Sequence, residues 1–273
     1  MGNITKDGIL HKLTKEEFDV LPYMDGRMYL SSATARFSGW VSPFDPNYLD
    51  WPRRIKIQQT LCDSLRIALE SSIEEFEKKK QIKIIYLGAA LGSISSYFSL
   101  AVLKEYGLID KTKVFLYDLL PEPLSLTKQG LFDFSEDAAR STGLLEVFSP
   151  AEYKSVLADC EIVAGNITNL PEDFTDFDIA VAPYIHHHLN VFDKRRACQE
   201  MQRILRSSGI ALIGDLIFDY ESFSAWLKYH STENLSYALE SFVSLNDHVQ
   251  FFKNPKVMNT FQGDIFYNFS IML

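Results

Sequence analysis

Residues 82–92 read Ile-Lys-Ile-Ile-Tyr-Leu-Gly-Ala-Ala-Leu-Gly. A short β-branched run enters a turn of small residues, and apolar positions at helical spacing come next at Tyr97, Phe98, Leu100, Ala101 and Leu103. That pattern predicts a buried strand feeding directly into a helix. A strand that becomes a helix through glycine puts backbone N–H groups and the positive end of a helix at one spot. Such a spot suits a nucleotide-like or anionic ligand.

Upstream, a helix is expected from Asp50. Pro52 falls in its first turn, where a missing N–H costs nothing. Ile57, Leu61, Leu65, Leu69, Ile73 and Phe76 recur at steps of three or four and form one apolar face. Lys78–Lys80 suit the negative helix end. Residues 1–50 are irregular, broken by Pro22, Gly26, Gly39, Pro43 and Pro46, and rich in rings (Phe18, Tyr23, Tyr29, Phe37, Trp40, Phe44, Tyr48). These rings either pack the segment onto a larger core or line one wall of a ligand pocket, in which case Tyr29 and Trp40 are substrate-side candidates.

Downstream the chain alternates. A helix over 93–106 leads to strand Lys113–Tyr117, and a helix over Glu122–Gln129 precedes a polar excursion at 133–158. Strands Glu161–Ala164 and Ile179–Ala182, helix Lys194–Leu205 and strand Ile210–Gly214 come next. Apolar runs separated by helices imply a parallel sheet buried on both faces. After Leu216 a mostly helical stretch reaches about Phe252, and Val257–Phe261, a Gln262-Gly263 turn and Ile265–Met272 read as a terminal hairpin. The expected architecture is α/β: a Rossmann-like doubly wound sheet, mostly parallel, with a C-terminal antiparallel hairpin strand and an N-terminal aromatic and helical cap. The cap would span 1–80 and the sheet domain 81–273, with 216–256 a helical insertion over the site.

Composition narrows the function classes. With 47% apolar and 23% charged residues the chain reads as an ordinary globular domain. A net charge of −9 argues against a nucleic-acid partner, which requires a basic face. No run of 18 apolar residues suggests a membrane span. Cys62, Cys160 and Cys198 are odd in number and lack metal-ligand spacing, which fits a reducing, cytoplasmic setting. The first 20 residues carry no apolar signal-peptide core.

A nicotinamide-binding turn would read Gly-x-Gly-x-x-Gly, but that frame gives Gly88, Ala90 and Ser93. A small-x-small-x-Gly frame gives Gly88, Ala90 and Gly92. Together with several segments downstream of it, this turn resembles the class I S-adenosylmethionine-dependent methyltransferases. Val114-Phe115-Leu116-Tyr117-Asp118 supplies an acid after an apolar run. Ala164-Gly165-Asn166-Ile167-Thr168-Asn169-Leu170-Pro171 is similar to the family's Gly-Asp-x-x-x-Leu-Pro turn. Phe177 to Leu189 resembles its fourth strand and the His-His-Leu loop after it, and Glu200 to Ile213 its last helix and fifth strand. The resemblance implies S-adenosylmethionine as cofactor. Gly88, Ala90 and Gly92 would meet its methionine end, Asp118 its ribose, and Asn166 and Ile167 its adenine, with Ala89, Leu119 and Pro183 also on the cofactor side. The sequence departs from the family's pattern at Tyr86, where an acid is usual, at Ala90 for glycine, at Asn166 for Asp, and at Ser207-Ser208 for Pro-Gly.

Methyl transfer from a sulfonium is an in-line displacement governed mainly by positioning. A base is needed only when the nucleophile must shed a proton early. His187 and His188 fall on the family's His-His pair and are candidates for that base, since imidazole titrates near neutrality; one His of the run serves equally to shape the loop. As a metal site the run 186–188 is poor, because adjacent residues point in different directions and no partner Cys or Glu has usable spacing. No metal is expected. Tyr184, after Pro183, faintly resembles an amine-methylating motif without its polar first residue. Asp215, ending the fifth strand, either touches substrate or caps a turn.

A second aromatic segment, with Phe223, Trp226 and Tyr229 at helical spacing, is either packing or pocket. Together with 1–50 it describes an enclosed site for a small, partly apolar molecule. The expected activity is methyl transfer to oxygen or nitrogen of such a small-molecule substrate. Alternatives are a binding or scaffold protein on the same fold, an enzyme using the sulfonium as a fixed charge for a cyclisation or rearrangement, and a nicotinamide enzyme. The oligomeric state is not legible.

Overall fold

The computed structural model describes residues 51–89, 94–119, 142–183, 185–186, 189–216, 243–263 and 266–273, together with Leu124 and Lys128. Among these residues the elements run α1 (Trp51–Glu70), α2 (Ile73–Lys78), β1 (Ile82–Leu87), α3 (Ile94–Glu105), β2 (Thr112–Asp118), α4 (Leu144–Val147), α5 (Pro150–Ala158), β3 (Glu161–Ala164), β4 (Phe177–Pro183), α6 (Val191–Ile204), β5 (Leu205–Leu216), α7 (Leu245–Val249), β6 (Lys256–Gln262) and β7 (Phe266–Met272). The strands form a seven-stranded sheet in the order β3-β2-β1-β4-β5-β7-β6. β1 to β5 pair in parallel, and β7 enters antiparallel between β5 and β6. The Rossmann-like expectation, hairpin included, matches this architecture.

Strand periodicity explains the two cores. Ile82, Ile84 and Tyr86 of β1, with Val114, Leu116, Ile179, Val181, Ile210 and Leu212, face the layer holding α1, α2, α3 and α5. The intervening Ile85 and Leu87, with Phe115, Ala180, Ala182, Ala211 and Ile213, face α6 and the segment after α7. A strand with both faces covered is apolar at nearly every position, and in β1 only the partly buried Lys83 departs from that.

Helix α1 is integral to the first core: Leu61, Leu65, Ala68 and Leu69 are buried among the β1-facing residues. Its polar seam is buried too, for Asn268 Nδ2 donates to Thr60 Oγ1 at 2.7 Å and Asn259 Nδ2 to Ser64 Oγ at 3.0 Å. The helix expected to run unbroken past Phe76 instead breaks at Ser71 and Ser72. Both hydroxyls donate back to the Ala68 carbonyl, at 2.8 and 3.0 Å, and compete with the helical ladder. The polar excursion expected at 133–158 contains two helices in its described part. α5 opens on a capping box in which Ser149 and Glu152 satisfy each other's backbone N–H, with Pro150 next in line. The reciprocal bonds hold the Glu152 carboxyl at about 2, led by the Ser149 N–H. That signal, Ser-Pro-Ala-Glu, was present in the sequence.

The turn after β1 adopts a backbone that only glycine takes easily. Gly88 has φ of +75°, and a Cβ there would lie 2.6 Å from Ile185 Cγ1. Gly107 has φ of +67° with nothing within 4 Å of the same position. Gly88→Ala therefore meets both left-handed strain, about 1–2 kcal/mol, and overpacking, about 1–3 kcal/mol; Gly107→Ala meets the strain alone. In urea unfolding the Gly88 variant is expected to lose about twice as much stability as the Gly107 variant, and Ile185→Ala in the Gly88→Ala background to recover part of it. Equal losses at the two glycines would show that Ile185 gives way without cost.

Candidate functional site

Parallel pairing brings the ends of β1 to β5 to one edge. The register sets Leu87 beside Tyr117, Asp118 beside Ala164, and Pro183 beside Gly214. Gly88, Asp118, Leu119, Asn166, Ile167, Pro183 and Asp215 thus gather at the carboxyl edge, where open α/β sheets bind ligands. Ala90, Gly92, Tyr29, Trp40, Tyr184, His187 and His188 lie outside the described residues.

At the first turn the backbone N–H groups of Gly88 and Ala89 both donate to the Tyr117 carbonyl, at 2.8 and 3.1 Å. They extend the sheet and are not bare donors for a ligand. The open side of Gly88 is likewise taken, by Ile185. Tyr86, standing where the related motif has an acid, is fully buried. Its hydroxyl pairs with Ser99 Oγ at 2.8 Å, so this side chain faces α3 and not the strand ends.

The second and third strand ends are locked together. Gly165 N–H donates to the Asp118 carbonyl at 2.8 Å, and Tyr117 Oη donates to the Asn166 carbonyl at 3.2 Å. Burial pushes the Tyr117 phenol up to about 12. A Cβ on Gly165 would fall 2.1 Å from that hydroxyl, so glycine is obligatory there. The Asn166 side-chain oxygen accepts from Thr168 N–H at 2.9 Å and Thr168 Oγ1 at 3.0 Å, closing an Asx turn. Ile167 and Asp118 are buried, Asp118 completely.

Asp215 is turned inward. Its Oδ2 lies 3.3 Å from Lys194 Nζ, with both side chains nearly inaccessible. It therefore belongs to a buried ion pair. Lys194 was legible: it lies on the α6 face that also presents Ala197, Cys198 and Met201, and a lone cation on an apolar stripe requires a buried partner.

Sequence spacing missed a polar cluster beside this pair. His186 Nδ1 lies 2.7 Å from His248 Nε2, and His248 Nδ1 lies 2.8 Å from Tyr267 Oη, which donates to the Val243 carbonyl at 3.2 Å. The last bond orients the others. With the tyrosine proton on Val243, His248 Nδ1–H donates to Tyr267, and His186 Nδ1–H donates to His248 Nε2. Burial, then the neighbouring His186, hold the His248 imidazole well below its ordinary range and keep it neutral. The Cys198 thiol is pushed up by burial. Ligand atoms of His186, Cys198 and His248 all lie within 4.8 Å of one another. The reading that His186 lacks a cysteine partner is thus corrected: the partner is supplied by a helix face and the cluster completed by a residue near the C-terminal hairpin, a proximity that no local spacing encodes.

Residues 132–213 match the family model described as a methyltransferase domain. A curated relative from Alkaliphilus oremlandii (strain OhILAs), described as an uncharacterized methyltransferase, is 31% identical over 107 residues, covering 37% of this chain and 49% of that protein. The chain spans about half the length of the curated relative it matches. Among solved structures, the N-methyltransferase NodS from Bradyrhizobium japonicum WM9, in complex with S-adenosyl-L-homocysteine, aligns at TM-score 0.48 and 14% identity, over 89% of this chain and 96% of that one. A TehB-like methyltransferase from Corynebacterium glutamicum aligns at TM-score 0.41 and 17% identity, over 74% and 85%. The match to a methyltransferase domain covers residues 132–213, and the strand order is that of a Rossmann-like sheet with a C-terminal antiparallel hairpin.

Proposed function

We propose that the chain binds S-adenosylmethionine at the carboxyl edge of β1, β2 and β3 and transfers its methyl group to an oxygen or nitrogen of a small molecule. The observation that carries this reading is the placement of the Asp118 carboxyl group at the end of β2, beside the left-handed Gly88 turn and the Asn166–Ile167 turn. A carboxylate is a two-oxygen acceptor suited to a pair of ribose hydroxyls. Ile167 and Leu119 then offer apolar surface to adenine.

Because Gly88 and Ala89 N–H are occupied by Tyr117, the cofactor's methionine carboxylate would be met by residues 90–93 and the start of α3. The sulfonium charge disperses as the methyl group moves, which favours an enclosed aromatic site of the kind that 1–50 and 217–242 can supply. His187 or His188 is the proposed base for a hydroxyl acceptor. A structural role for that pair is the competing assignment, and turnover measurements separate the two.

Purified protein is expected to carry S-adenosylmethionine or S-adenosylhomocysteine detectable by mass spectrometry after denaturation. Asp118→Ala should weaken S-adenosylmethionine binding in calorimetry more than tenfold, at least about 1.4 kcal/mol; unchanged affinity in a folded variant removes Asp118 from the site. His187→Ala and His188→Ala should each leave cofactor affinity intact. One of them should lower turnover about 10²–10⁴-fold if it acts as base. Cofactor binding without any S-adenosylhomocysteine formation across a panel of acceptors would favour the fixed-charge or binding-protein reading instead.

A further inference from the structure

We propose that His186, Cys198 and His248 form a structural site for a borderline-soft divalent cation of the zinc type. The inference stands apart from methyl transfer, since it concerns the α6 face of the sheet and not the bend after β1. The three ligands come from three separate stretches: the loop after β4, the middle of α6, and α7. All three residues are essentially inaccessible.

The donor set is one that zinc accepts, two imidazoles and a thiolate. Metal–nitrogen bonds of about 2.0–2.1 Å and a metal–sulfur bond of about 2.3 Å in tetrahedral array set neighbouring donors about 3.3–3.6 Å apart. The donor atoms already lie within 4.8 Å of one another, and the two imidazole nitrogens are 2.7 Å apart. Seating an ion therefore requires the imidazoles to part by about 0.6 Å and the sulfur to close by no more than about 1.5 Å. Side-chain rotations accommodate movements of that size.

The outer shell is in place for His248. A ligating histidine characteristically donates its second ring N–H to an oxygen that fixes its orientation. His248 does so through Nδ1–H to Tyr267 Oη at 2.8 Å, and Tyr267 is anchored on the Val243 carbonyl. That tautomer aims the His248 Nε2 lone pair into the cluster. His186 presents a nitrogen to the same centre when its proton moves from Nδ1 to Nε2, a shift that leaves the ring neutral. Cys198 loses its thiol proton, one per ion bound, and the thiolate with the neighbouring Asp215 carboxylate offsets the charge of the cation. Asp215 is also paired with Lys194, whose ammonium is itself within electrostatic reach of Cys198 and His248. An ion here would cross-link α7, and the segment leading into β6, to α6 and to the loop after β4.

The test uses the full-length protein, stripped with a chelator under reducing conditions and titrated with Co²⁺. One equivalent should produce a thiolate-to-cobalt charge-transfer absorption in the near ultraviolet, and Zn²⁺ should bleach it. Cys198→Ser should abolish that absorption, whereas Cys62→Ser and Cys160→Ser should retain it, and His248→Ala should weaken Co²⁺ affinity at least tenfold. Zn²⁺ should also raise the melting temperature of the wild type and not of Cys198→Ser. Absence of a thiolate band in the wild-type protein, or its survival in Cys198→Ser, overturns the proposal. Should Cys198→Ser fail to fold, the wild-type spectrum alone decides.

Discussion

Everything at the candidate site is positioned from β1, a strand with no solvent-facing side. Its alternate residues enter two separate cores, so a slip of one register position would exchange every contact on both faces at once. That constraint fixes where β1 stops, and hence where Gly88 turns. The Gly88 and Ala89 N–H groups then bond the Tyr117 carbonyl, and Ile185 from beyond β4 fills the space a side chain would need. Three strand ends are thereby fastened at one point before any ligand is considered. The glycine that first suggests close approach of a cofactor is thus occupied twice by protein. Within the fold this glycine makes the left-handed turn out of β1.

Buried acids stand at both edges of the sheet. At the amino edge, Asp178 is almost inaccessible, and its partners are structural: Lys83 N–H at 2.8 Å, Lys79 Nζ at 2.8 Å, and the Arg206 guanidinium, which also reaches Glu75 on α2. A buried carboxylate held by two cations and a backbone donor is compensated within the fold, and removing a partner would leave an uncompensated charge at a cost of about 3–5 kcal/mol. At the carboxyl edge, Asp118 and Asp215 close their strands among glycine turns and loops. Asp215 finds Lys194 across the strand end. Asp118 is buried next to the Gly88 and Gly165 turns, and its main-chain carbonyl holds the latter.

Much of this was legible. The β-branched run at 82–87, the apolar stretch ending in Asp118, and the alternation of helices and strands gave the sheet and the edge at which its strands end, because burial on both faces leaves a nearly continuous apolar run that is hard to misread. The capping box at Ser149 was equally readable, yet it sat inside a stretch whose polarity suggested a loop. The break at Ser71-Ser72 was masked by an apolar stripe that continues through it to Phe76. Local partners at two strand ends were not legible in the residue chemistry: the Asn166 amide oxygen accepts from Thr168 in its own turn, and the Gly88 and Ala89 N–H groups bond the neighbouring strand. Local hydrogen bonds of that kind form whenever geometry permits, since a buried polar group left unmade costs more than the bond gains.

The cluster around His248 lay beyond sequence reading because its members are joined by topology. β7 runs antiparallel beside β5, and this carries Tyr267 to a position opposite Asp215. α7 precedes the hairpin and lays His248 across Tyr267, with ring centroids 5.8 Å apart. Only after that strand insertion does α6 present Lys194 and Cys198 to the same volume. A buried set of this kind is stable only when each polar atom is satisfied, and the direction of the Tyr267–Val243 bond propagates through both imidazoles to determine where each proton sits. The chain so ordered ends at His186, next in sequence to the two histidines proposed as catalytic. The fold thus ties His186, beyond the end of β4, to the C-terminal hairpin through His248 and Tyr267.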